Sequence, residues 1–306
     1  MILATVVNSV LIMGFLIAIG FFLVKKGIIT TEVEQAFTFM LLNIAIPALV
    51  IKSFNIEYSP EKMDLGFKVL KLAFLFTAGT VFLNHFILMK VKNIGKRKVM
   101  RYTNALTNCG FMGFPVVYQV YGAEGTFFAS MFYVSVIFLM WTYGMSIFYD
   151  KFGKRELKGM LLNPNMISVY IGLCIFFFSI EIPHIVENMI DSVGGIITPL
   201  AMFIIGARIG RVRLSEMLSD IFVYLATFIK LVFFPLIMVF ILSIIEMDPL
   251  IEGVCLIYAS LPPPAIAVVI ASQFNCEVDF SSKIVVMTHL FSLVTIPLMF
   301  AIFELL

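Results

Sequence analysis

Charge is what this chain has least of. Only 13% of its 306 residues are Asp, Glu, Lys or Arg, about half the share of a soluble domain. That is too little polar material to cover a protein of this size in water. Hydrophobic residues make up 61% and mean hydropathy is +1.05, so the chain reads as an integral membrane protein. The four cysteines, Cys109, Cys174, Cys255 and Cys276, are scattered, and none forms a metal-spaced pair. They read as buried small hydrophobes, and no metal or cofactor is expected. There is no H-E-x-x-H, no G-x-S-x-G and no intramembrane Asp pair, so an intramembrane enzyme would lack its machinery and no catalytic residue is assigned. No aromatic or Gly-rich recognition module accompanies the basic clusters, which argues against nucleic acid as a partner.

What is present is a series of apolar runs. Crossing a hydrocarbon core of roughly 30 Å takes about 20 helical residues. The runs predict ten spans, at about 2–24, 33–54, 65–90, 99–121, 125–149, 165–182, 188–210, 217–245, 250–274 and 279–304. Little remains for a soluble domain, so the lipid bilayer is the protein's working environment. Span 1 has no basic leader and no A-x-A exit, and is not expected to be cleaved. The loops alternate in charge. Sixteen of the 21 basic residues, from Lys25 and Lys26 to Lys283, fall on one face, and that set includes Lys90–Arg101, Lys151–Lys158, Arg208, Arg211 and Arg213. Four more, Lys52, Lys62, Lys68 and Lys71, fall between spans 2 and 3, and Lys230 lies mid-span. The positive-inside rule makes the first face cytoplasmic and puts both termini outside the cytoplasmic membrane.

Five spans precede the basic loop at 150–158 and five follow it. An odd number per half places the halves, 1–150 and 160–306, in opposite orientations within one membrane domain, as in inverted-repeat transporters. Span 4 contains Asn108-Cys-Gly110-Phe-Met-Gly113-Phe-Pro115, and span 9 contains Ser260-Leu-Pro262-Pro263-Pro264-Ala265. Such runs break helices, and in lipid a break is tolerated only against protein or a wet cavity. Matched breaks in the fourth span of each half point to a transport site near the midplane, with half-helix N-termini suited to an anion.

The segment NCGFMGFPVVYQVYGAEG (108–125) resembles the fourth-helix motif of the auxin efflux carrier family, and SLPPPAIAVVIASQF (260–274) resembles its ninth. LLNPNMISVYIGL (161–173), ITPLAMFIIGARI (197–209), KLVFFPLI (230–237) and THLFSLVTIPLMF (288–300) resemble helices 6, 7, 8 and 10. The short form is similar to bacterial malate and malonate carriers. The resemblance implies an all-α fold of ten transmembrane helices in two inverted five-helix repeats, with broken, crossed helices 4 and 9. It also implies a scaffold of helices 1, 2, 6 and 7, a homodimer formed through it (helices 2 and 7), and elevator-type transport of a small organic carboxylate. Many bacterial members carry an Asn just after the prolines of helix 9, where this chain has Ala265 and Ile266.

Asn108 is the leading candidate for substrate contact, because its amide both donates and accepts. Gly110, Gly113, Pro115, Ser260 and the three prolines belong to the same broken segments, and Asn104 and Thr107 are neighbours. Asn43 sits four residues before Pro47 in span 2. Lys230 is an ionisable group inside a span, hence a functional candidate, either for the anion or for carbonyls at a broken helix end. His289 lies near mid-depth in span 10; His85 has no assigned role. The acids lie in loops or near span ends, with Asp191 closest to an exception. That points to transport driven by the substrate gradient and membrane potential, whether efflux or facilitated transport. The alternatives are a sodium- or proton-coupled symporter of the bile-acid type and, further off, a channel.

Overall fold

The computed structural model describes residues 2–56, 58–149, 158–159, 161–212 and 220–305. Lys151, Lys154, Arg155 and Arg213 of the basic loops lie outside the described residues, as does the junction expected between the two halves. All regular structure among the described residues is helical.

Helix α1 is Ile2–Lys25, and α2 runs from Thr31 to Ser53 with Thr30 as its N-cap. Helix α3 is Pro60–Ile87 and α4 is Ile94–Ala105. Helix α5 begins at Cys109 and runs through Phe114–Leu139 to Gly144. Then come α6 (Pro164–Phe177), α7 (His184–Gly194), α8 (Ile197–Arg211) and α9 (Ile221–Leu242). The chain ends with α10 (Pro249–Ser260), α11 (Ala267–Gln273) and α12 (Val278–Glu304). Among the described residues seven helical stretches are long and apolar enough to cross a membrane, and α6 and α10 are shorter apolar helices. The stretch Ile94–Gly144 is 51 residues long. It is broken between α4 and α5, and α5 bends again at Gly122, where φ is 63° and ψ is −151°. Only glycine adopts that conformation readily.

Three helices share one local device. Five-residue π-helical turns occupy Leu41–Ala45, Cys109–Gly113 and Ile229–Phe233. A proline follows each by two positions: Pro47, Pro115 and Pro235. A proline ring clashes with the carbonyl four residues earlier. That carbonyl belongs to Asn43, Phe111 or Leu231, inside the π turn in each case. Widening the turn accommodates the ring without ending the helix.

Several boundaries differ from the hydropathy reading. Helix α3 starts at Pro60 and α4 at Ile94, about five residues earlier than expected. Lys62 therefore joins Lys68 and Lys71 on α3, where Lys68 pairs with Asp64 at 2.8 Å, and Lys96–Lys98 join Arg101 on α4. Hydropathy marks the apolar length, whereas a capped helix continues into its charged end. Ser59 and Asn93 accept from Lys62 N and Lys96 N, at 3.0 Å each. Helix α6 stops at Phe177, short of the expected 182.

The buried core draws on nearly every helix, and its most continuous stretches are Gly125–Tyr133 of α5 and Val254–Ser260 of α10. Helices α1 and α8 pack with their backbones in contact. A Cβ on Gly206 would lie 2.1 Å from Ile17 O, and one on Gly20 would lie 2.5 Å from Phe203 O. Small residues permit such approach in membrane helices. Gly206→Val should therefore cost about 2–3 kcal/mol and lower the melting temperature in detergent. Gly79, with nothing within 4 Å of its virtual Cβ, should tolerate Ala with no loss or a gain of about 0.5–1 kcal/mol.

Candidate functional site

The two breaks lie against one another. After α4 the chain turns extended at Leu106, and after α10 it does so at Leu261. The second follows from Pro262, since a residue before proline avoids the helical region. Asn108 N–H donates to Pro262 O at 2.9 Å. Thr107 Oγ1 donates to Tyr258 O at 3.0 Å and approaches Leu261 O at 3.4 Å. Each broken segment thus satisfies groups that the other one exposes.

Several other carbonyls near the broken ends meet side chains from other helices. At the end of α4, Thr80 Oγ1, which donates to Thr77 O at 2.7 Å, also approaches Ala105 O at 3.2 Å, and Asn84 Nδ2 donates to Arg101 O (3.1 Å). Lys230 Nζ donates to Asn104 O at 3.4 Å, and the residue is 4% exposed. A cation at a helix C-terminus meets the negative end of its dipole. At the second break, Arg208 Nη1 donates to Ala265 O.

Asn108, 4% exposed, caps the start of α5, where its Oδ1 accepts from Phe111 N at 3.3 Å. Its Nδ2 lies 2.9 Å from His289 Nε2, and His289 Nδ1 lies 2.7 Å from Val285 O. A carbonyl can only accept, so Nδ1 carries the proton and Nε2 accepts from the Asn108 amide. This uses one of the two amide hydrogens.

Asn108 borders a cavity of about 310 Å³. Thr107–Phe111 form one wall and Pro264–Ile266 another, with Leu42, Asn43 and Ile46 of α2, Tyr133–Trp141 of α5 and Asn163–Asn165 of α6 around them. Two polar atoms of this lining are buried without a partner: Trp141 Nε1 and Asn165 Oδ1. The N-terminus of α6, capped by Asn163, and that of α5 both face the cavity. Asn163 Oδ1 accepts from Asn165 N and Met166 N, and Asn108 Oδ1 from Phe111 N, so what the two ends offer a negative charge is the positive pole of each helix dipole.

The cavity separates the residues singled out from the sequence. Asn108, Gly110, Pro264 and Asn43 line it, as do Ala265 and Ile266. Asn43 Nδ2 also donates to Phe39 O at 2.9 Å, one turn back. Gly113 and Pro115 are not in the lining. Gly113 allows close approach to α10, since its Cβ would meet Leu261 at 2.9 Å. Pro262 contributes its carbonyl to the junction. Pro263 and Ser260 lie off the cavity, and Ser260 Oγ is buried without a hydrogen-bond partner. His289 stands behind Asn108, and Lys230 caps α4 away from the lining. Asp191 pairs with Lys52 and does not line the cavity.

Trp141, Asn163 and Asn165 were not legible as site residues, because nothing in α5 or the start of α6 marks which face meets the breaks. Arg208 and Glu34 were missed for another reason. Hydropathy counts Arg208 as a loop-end charge, yet its side chain is 12% exposed. Glu34 is near a span end, as read from the sequence, but is 9% exposed and bonded to Arg208 and Arg211. Among the described residues it is the one buried carboxylate.

Residues 5–300 match the model of a family described as membrane transport protein. An uncharacterized transporter of Methanothermobacter thermautotrophicus is 23% identical over 296 residues, covering 95% of this chain and 96% of that one. An uncharacterized transporter of Methanocaldococcus jannaschii is 22% identical over 302 residues, with the same coverage. A protein of Rhizobium meliloti bearing the name "Putative malonate transporter" is 26% identical over 140 residues, covering 45% of this chain and 43% of its own length. A family match over nearly the whole chain, joined to the apolar helices and the paired breaks, makes this a multi-pass membrane protein of the auxin efflux carrier family of membrane transport proteins.

Proposed function

We propose that the protein carries a small organic carboxylate across the cytoplasmic membrane by elevator-type alternating access, with the cavity at Asn108 as the substrate site. The observation that carries this reading is the cavity's position at the two joined breaks, with unpartnered polar atoms in its wall. A carboxylate needs donors. The second amide hydrogen of Asn108 and Trp141 Nε1–H supply them, and the positive poles of the α5 and α6 dipoles add to the field, in an apolar surround that excludes most water. The malonate in the name of the Rhizobium relative is a dicarboxylate of suitable size. It is the first probe to use.

The same reading takes the architecture as ten spans in two inverted halves. Helix α4 and the first part of α5 form span 4, and α10 and α11 form span 9. The bend at Gly122 supports counting the 51-residue stretch as two crossings, since a straight helix that long would exceed twice the hydrocarbon thickness. The close packing of α1 on α8 supports a scaffold unit, and family resemblance supports a homodimer through spans 2 and 7. The basic loops support a cytoplasmic face, with both termini outside. Transport follows the substrate gradient and membrane potential. In support, the one buried carboxylate described, Glu34, is held by two arginines rather than left free for a cation.

Thermal-shift titration of the detergent-purified protein with malonate and related carboxylates tests the site. Wild type should be stabilised, and Asn108→Ala should lose most of the shift, with a midpoint raised tenfold or more, as expected for losing a hydrogen bond to a charged group. Full stabilisation of the variant, or none of the wild type by any carboxylate, would reject the assignment. Lys230→Met should keep the wild-type midpoint, because Lys230 caps α4 and does not reach the cavity. Proteoliposome uptake should proceed without an imposed sodium or proton gradient. An absolute requirement for either would reject the uncoupled mode.

A further inference from the structure

A second and larger cleft, of about 690 Å³, opens beside the first. Thr31–Asn43 of α2, Arg208 and Arg211 of α8, Val268–Gln273 of α11 and Val278–Val286 of α12 contribute its walls. Leu42 and Asn43 line both spaces, so the cleft adjoins the Asn108 cavity at these two residues. Its position at the start of α2 and the end of α8 is the face that carries most basic residues.

Only three residues of its lining are charged, Glu34, Arg208 and Arg211, for a net charge of plus one. Arg208 Nε bonds Glu34 Oε1 at 2.7 Å, while Arg211 Nη1 bonds Glu34 Oε2. Arg208 also holds Ala265 O, and Ala265 lines the inner cavity. Arg208, Ala265 and His289 further share one narrow gap, and His289 holds Asn108. Arg208 thus stands between the outer cleft and the residues that line the inner cavity.

We propose that Arg208 is a carboxylate-binding group of this cleft, and that the Glu34 side chain occupies it as a built-in competitor. An incoming carboxylate takes the place of Glu34 Oε1 on the Arg208 guanidinium and passes from there to the Asn108 cavity. The proposal rests on the carboxylate-transport reading above. Two features of the geometry support it. Guanidinium presents several planar donors suited to carboxylates, and here Arg208 already holds one carboxylate oxygen through Nε while its Nη1 is on Ala265 O. The two oxygens of Glu34 bind different arginines, so Glu34 can release Arg208 while Arg211 still neutralises it. The exchange then leaves neither charge bare, which is the condition for moving an ion pair away from water.

The test is the malonate titration of Glu34→Gln, Arg208→Lys and Arg208→Gln beside wild type and Asn108→Ala, with malonamide as an uncharged control of similar shape. Glu34→Gln removes the competing charge at nearly constant volume. It should lower the malonate midpoint about tenfold, equivalent to about 1.4 kcal/mol, although the free protein melts lower. Arg208→Lys keeps the charge but loses the planar donors, and should raise the midpoint severalfold. Arg208→Gln should raise it further, and malonamide should shift no variant. A purely structural ion pair would lower melting temperatures and leave the midpoints alone. An unchanged or raised midpoint in Glu34→Gln overturns the proposal, as does an unchanged midpoint in Arg208→Lys should Glu34→Gln fail to fold. If wild type binds malonate through Asn108 and these variants behave like it, this inference alone fails. If no carboxylate stabilises wild type, the transport reading fails and takes this inference with it.

Discussion

The hydrogen bond from Asn108 N–H to Pro262 O, 2.9 Å long, is the contact on which the rest of the site depends. In lipid a chain cannot leave backbone groups unpaired, because no water is there to receive them. Two helices interrupted at separate depths would each carry that cost. Setting one interruption against the other lets each supply partners to its counterpart. Thr107 Oγ1 reaches the carbonyls of Tyr258 and Leu261 for the same reason. Non-helical backbone then becomes a wall of a cavity and ceases to be a defect.

Everything nearby follows from finishing that accounting. The end of α4 draws Thr80 and Asn84 from α3 and Lys230 from α9. The second break draws Arg208 from α8. Both buried cations therefore sit where a helix has lost its continuation and its carbonyls point outward. Lys230 ends there, sealed away from the cavity. Arg208 has a further neighbour in Glu34 and faces a wider cleft, and that difference in surroundings distinguishes a structural cap from a group able to meet an anion.

The same reasoning explains the prolines. Pro47, Pro115 and Pro235 each follow a π turn and leave their helices running on, since the wider turn makes room for the ring. The three successive prolines at 262–264 remove too many donors for any such remedy. There the helix stops, and α11 begins only at Ala267.

Much of the helical layout, the membrane environment and the two interrupted segments were legible in the residues themselves. Apolar length, charge alternation and the placement of Gly and Pro are properties of the chain that no packing can alter. The family likewise follows from motifs near Asn108, Ser260 and His289. The tertiary structure decided which polar residues meet. It turned Lys230 toward Asn104 O, put His289 behind Asn108, and brought Trp141 and Asn165 to the cavity. It also took Glu34 and Arg208, 174 residues apart, out of the charged face and buried them together. Hydropathy assigns a charge to water by its type, whereas its true partner is fixed only when distant helices close around it.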